Sequence, residues 1–181
     1  MKRSIRGVAA LVAATLAMMG GNVLAQNNDQ AGKTALVSER DKVSYAVGLD
    51  VGKSFQPVAD FIDLAAFERS IRNVFDGGKP LMTEEEAKAT DESLRKNLAV
   101  RQGAPVPGMA PGTQPPAVDK GKVGTMLGSF AVGPSLAPLK GEIDLGTLMQ
   151  AVRTSLANGK PLLSEQEAMA TMQAYMTKKQ G

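Results

Sequence analysis

The chain has 181 residues, no Cys, no His and no Trp, with 21 Lys and Arg against 18 Asp and Glu. Without Cys or His it lacks disulfides and the residue types that supply most metal sites and most nucleophile-base pairs. Three of the basic residues (Lys2, Arg3, Arg6) lie at the extreme N-terminus. The remaining chain is balanced in charge, and nothing points to nucleic acid.

The first 25 residues have the form of a secretory signal. A basic start precedes the apolar stretch Gly7 to Met19, and Val23-Leu24-Ala25 offers small residues for cleavage. The expected destination is periplasmic or secreted. No longer apolar run follows, so no stable membrane insertion is expected after cleavage. Residues 26–37 are polar at their start and are expected to be unstructured.

From Val51 onward the sequence repeats with an offset of 81, roughly seventeen of the fifty positions to the chain end being identical. Ile62-Asp63-Leu64 answers Ile143-Asp144-Leu145, and Gly78-Lys79-Pro80-Leu81 answers Gly159-Lys160-Pro161-Leu162. The pattern predicts an all-α protein of two tandem three-helix modules, residues 38–102 and 119–181. They are joined at 103–118 by a linker with five prolines and three glycines, a composition that can neither continue a helix nor build much core.

In the first module a helix is expected from Glu39 to Phe55, with Val43, Val47, Val51 and Phe55 forming an apolar stripe at four-residue spacing. Gly48 and Gly52, like Gly124 and Gly128 in the second module, cost helix stability. Either close approach of another backbone or a frayed helix would account for them. A second helix starts behind the cap Asp63, and its counterpart starts behind Asp144. Beyond a left-handed stop at Gly77-Gly78 or Asn158-Gly159, Leu81 and Leu162 are expected to plug the core. The third helices begin with the capping boxes Thr83-x-x-Glu86 and Ser164-x-x-Glu167.

The Gly-Lys pairs are followed by proline and lack the upstream glycine of a phosphate loop, so they read as helix endings. The acids Glu84 to Glu86 suit the positive end of a helix dipole. Met169, Met172 and Met176 form a flexible thioether stripe that suits either core packing or a surface accepting varied apolar partners. No catalytic residue, cofactor or metal ligand can be assigned.

The stretches "DKVSYAVGLDVGKSF" and "IDLAAFERSIRNVFDGGKPLMTEEEA" resemble the N-terminal helical domain of FKBP-type peptidyl-prolyl isomerases of the macrophage infectivity potentiator kind. Asp41, Ser44, Tyr45, Gly48, Gly52, Asp63, Pro80, Leu81 and Glu84 to Glu86 carry the resemblance. The second module follows more loosely, with Met126 standing where Tyr45 does. The resemblance implies self-association and the holding of unfolded exported polypeptides. Proline isomerisation would reside in a separate catalytic domain that these residues do not contain. The candidate interface or client residues are Val43, Val47, Val51, Phe55, Met169, Met172 and Met176. Self-association could pair two chains, or the two modules of one chain as a pseudo-dimer. The alternative reading is a fragment or subunit of an active isomerase.

Overall fold

The computed structural model describes residues 32–106, 108–110 and 112–180. The expected signal at 1–25 lies outside them. Every described residue belongs to one compact unit that begins at Ala31. The described residues are helical and contain no strand. In order they form α1 (Glu39–Phe55), α2 (Leu64–Phe75), α3 (Glu84–Arg101), α4 (Lys120–Met126), α5 (Gly133–Leu136), α6 (Leu145–Leu156) and α7 (Glu165–Gln180), with 3-10 turns at Gln56–Phe61 and Ala137–Leu139. None of these helices is long and apolar enough to cross a membrane.

Short polar side chains start the helices. Asp63 Oδ1 accepts from Ala66 N at 2.8 Å, and Asp144 Oδ1 accepts from Thr147 N at 2.7 Å. The Thr83 hydroxyl accepts from Glu86 N while Glu86 accepts from Thr83 N, and Ser164 and Glu167 make the same reciprocal pair. Both satisfy amides that have no partner within their helix. Gly77 at φ +74° and Asn158 at φ 51° end α2 and α6 in the left-handed region.

The packing crosses between the two repeats. α1 lies along α6, and α2 lies along α4 and the turn after it. The glycines sit at these crossings. A Cβ on Gly48 would stand 2.3 Å from Leu148 O, and one on Gly52 would stand 2.5 Å from Ser155 Cβ. On the other side, Cβ atoms on Gly124 and Gly128 would stand 2.3 Å from Asp63 O and 2.6 Å from Phe67 O. The helix-propensity cost of these glycines is therefore offset by backbone contact that a side chain would forbid. Behind the crossings, Val43, Phe67, Ile71, Val123, Leu148 and Val152 are buried in one core drawn from both repeats.

The N-terminal end of each crossing is closed differently. Asp144 N donates to Ser44 Oγ at 2.8 Å, and that hydroxyl donates to Arg40 O at 2.6 Å. In the other half, Asp63 N donates directly to Lys120 O at 3.0 Å. Gly124 stands where Ser44 does, so the backbones meet without an intervening hydroxyl.

Four sequence expectations need correction. The first helix of the second repeat is not one α-helix, because Leu127–Val132 form a π turn between α4 and α5. As far as Gly128, early in this turn, the structural offset is 80, pairing Gly48 with Gly128; after the turn the offset is 81, pairing Gly52 with Gly133. The wide turn accommodates one extra residue just ahead of Pro134, whose ring and missing N–H disfavour a regular turn there. In this register Thr125, not Met126, stands where Tyr45 does.

Leu81 and Leu162 are 46% and 37% exposed, and the next residues, Met82 and Leu163, fill the core instead. The chain bends at both residues after each proline, and the second of the two turns inward. Residues 32–37, expected to be unstructured, are held against the fold. Lys33 N donates to Gln150 Oε1 and Gln150 Nε2 donates to Lys33 O, both at 2.7 Å, and Leu36 packs against the small core cluster that contains Tyr45 and Leu49. Part of the 103–118 segment is also tied down: Pro116 O accepts from Asn97 Nδ2 at 2.8 Å, and Val118 packs on the core.

The carboxylates give the fold a one-sided pH dependence. Lys33, by its hydrogen bond to Asp41, lowers that carboxyl's pKa, and the backbone amides of Thr83 and Ser164 do the same for Glu86 and Glu167. For Asp144 burial acts upward, but the Thr147 hydrogen bonds and the charges of Lys33 and Arg40 leave it lowered overall. Groups depressed in the folded state stabilise it above their unfolded values, near about 4, and lose that effect as pH falls through the folded values. With no histidine in the chain, the thermal midpoint is expected to be flat from about pH 5.5 to 8 and to fall below about pH 4. A calorimetric pH series showing a step near pH 6.5 would contradict this.

Candidate functional site

Two grooves occupy corresponding places in the two halves. One lies between α1, α6 and α7, has a volume of about 790 Å³, and includes Ala46, Asp50, Leu163, Ala168, Met169 and Met172 in its walls. The other has a volume of about 310 Å³ and is lined by Glu84, Ala87, Lys88, Asp91, Met126 and Phe130.

The residues at matching positions are exchanged between them. On the third helices, Lys88 and Asp91 of α3 correspond to Met169 and Met172 of α7. On the facing helix, Met126 and Phe130 correspond to Ala46 and Asp50. The small groove thus carries its bulk on the facing helix and its charge on α3. The large one has thioethers on α7 facing a small residue and an acid. This exchange leaves the α1/α6/α7 groove open: Ala46 and Asp50 give up the volume that Met126 and Phe130 occupy in the other half.

Of the stripe residues on α1, Val43 is buried, while Val47, Val51 and Phe55 are half-buried against the core. Val47 alone among them reaches the groove wall. Met169 and Met176 are 60% and 52% exposed, and Met172 packs partly against both core clusters. The structure therefore separates the seven residues: the α1 stripe joins the two halves, Met169 and Met172 line the open groove, and Met176 is exposed outside it. Ala46 and Asp50, which create the opening, were missed from sequence. The signal lay in comparing repeat positions at offset 80 rather than 81.

Polar groups frame the groove without filling it. Lys53 pairs with Glu165 across one side. Gln56 Nε2 donates to Ser155 O at 2.5 Å, pinning the C-terminal end of α1 to α6. Asp50 has no ion pair among the described residues, so the open groove has one uncompensated negative charge. Tyr45, buried behind the wall, accepts from Leu162 N at 3.1 Å and fixes the loop that enters α7. Among the described residues no cluster of three or more Asp or Glu side chains is placed to hold a metal ion.

Residues 40–106 match the family described as the domain amino terminal to FKBP-type peptidyl-prolyl isomerase. This segment is similar to an FKBP N-terminal domain. The chain is also similar to the outer membrane protein MIP of Legionella longbeachae, at 29% identity over 71 residues. That match covers 39% of this chain and 30% of the relative. No solved structure matches the chain. Within the matched segment fall α1, α2 and α3, including Ala46 and Asp50. The thioether wall of the groove comes from α7, beyond the matched segment.

Proposed function

We propose that the chain is an exported, non-catalytic helical module in which two FKBP N-terminal-like repeats pair with each other as an intramolecular pseudo-dimer. The open α1/α6/α7 groove holds apolar segments of unfolded polypeptides. The observation that carries this reading is the groove itself: a cleft of about 790 Å³ with two flexible thioethers on its wall, at positions where the other repeat has Lys and Asp. Flexible, polarisable side chains adapt to differing apolar partners. The crossed packing supports the pseudo-dimer, because each repeat's second helix already has a partner within the chain. The linker suits this pairing: its end at Pro116 and Val118 is tied to the fold, and a short tether keeps the two repeats at a high effective concentration.

The test is the aggregation of reduced insulin followed by light scattering, alongside the isomerisation rate of a proline-containing peptide. Aggregation is expected to be suppressed at stoichiometric amounts with no change in isomerisation rate. Absence of suppression would refute the holding role. A sedimentation measurement at micromolar concentration is expected to give a monomer, and a tight homodimer would overturn the intramolecular pairing.

The match to only 30% of the relative's length favours a second reading, in which the chain is a portion or subunit of an isomerase whose catalytic domain lies elsewhere. Faster isomerisation by this chain alone would argue against both.

A further inference from the structure

We infer that the α1/α6/α7 groove takes one polypeptide segment per chain, and that this segment presents a bulky apolar side chain next to a Lys or Arg. The inference rests on the holding role proposed above and names the chemistry of what is held.

The other half of the molecule indicates the anchor. There, the corresponding groove contains a phenylalanine and a methionine supplied by the chain itself, Phe130 and Met126, and only about 310 Å³ remains. In the open groove the same two positions are Asp50 and Ala46, and about 790 Å³ is free. The missing volume is thus that of side chains the fold accommodates at the equivalent site. Met169 and Met172, replacing Lys88 and Asp91, line the open space with groups that pack against aromatic rings.

Asp50 indicates the neighbouring charge. It lines the groove and has no cationic partner among the described residues, whereas the other acid lining the groove, Glu165 on α7, is already paired with Lys53. A basic residue beside the apolar anchor complements Asp50, and an acidic one is repelled. Because Met126 and Phe130 narrow the second groove to about 310 Å³, the stoichiometry is one segment per chain even though the sequence contains two modules.

The experiment uses the full chain and three fluorescent ten-residue peptides, alike except for a central Phe-Lys, Phe-Glu or Ser-Lys pair. Fluorescence anisotropy is expected to show the Phe-Lys peptide bound at one per chain. Its affinity should exceed that of Phe-Glu by about two- to fivefold, as suits a solvent-exposed charge pair, and Ser-Lys should bind more weakly still. Asp50→Asn should erase the Lys-over-Glu preference. The double variant A46M/D50F, which writes the residues of the narrowed groove into the open one, should abolish binding while its circular dichroism stays helical.

Unchanged binding by A46M/D50F, two peptides per chain, or no preference for Phe-Lys in the natural protein would each overturn the inference. If insulin aggregation is suppressed but the Phe-Lys peptide does not bind, the holding role stands and this assignment fails. If the peptide binds as described without suppression, the reverse holds.

Discussion

Replacing Phe67 by Ala is expected to destabilise the protein by about 3–5 kcal/mol, the range for emptying a fully buried aromatic site. Phe67 is 0% exposed, and its ring stands edge-on to Phe55 with centroids 5.4 Å apart. Its backbone carbonyl lies at the crossing with Gly128 of the other repeat. The cavity would therefore open where the repeats share one core. For a body of about 150 residues each kcal/mol moves the midpoint by roughly 2–4 °C, so a fall of about 6–20 °C is expected. Unfolding should remain a single transition. If the modules were independent, calorimetry of Phe67→Ala would show one half melting early and the other at its original temperature, and that outcome would refute the shared core.

The second large effect is at Gly48. Alanine there would place Cβ 2.3 Å from Leu148 O and 2.7 Å from Ala151 Cβ. A backbone oxygen cannot rotate away as a long side chain can, so α1 and α6 must separate. Overpacking of this kind costs about 1–3 kcal/mol or more, and alanine's better helix propensity offsets only about 1 kcal/mol of it. Because every interlocked residue along the crossing must shift, a net loss of about 2 kcal/mol is expected, measurable by chemical denaturation. Gly146→Ala is the matched control. Its Cβ would lie 3.6 Å from Asp144 Oδ1, ordinary contact, so the propensity gain should appear as a small stabilisation. Equal effects at the two positions would show that helix propensity, not close approach, governs Gly48.

The aspartate caps and capping boxes were legible in the sequence because each is closed within four residues, where local chemistry decides the outcome. The inward side chains after each Gly-Lys-Pro were not. Whether Leu81 or Met82 points to the core depends on the direction the chain takes after proline, and the two differ little in hydrophobicity. The groove was half legible. The thioethers of α7 stood out as a stripe, but Ala46 and Asp50 carry no signal of their own. They matter because of what Met126 and Phe130 do at the matching positions, and the π turn hides that match by shifting the register one residue.

By itself the sequence determined the helical class, the helix starts and the repeat, which follow from spacing and local hydrogen bonding. It also carried, in particular residues from Asp41 to Arg101, the resemblance to an FKBP N-terminal domain. Only the tertiary structure decided which helix packs on which, that the glycines mark crossings between the repeats, and that one groove is open while its counterpart is narrowed. Those outcomes depend on the volumes of side chains brought together from distant parts of the chain, and periodicity along one helix does not encode them.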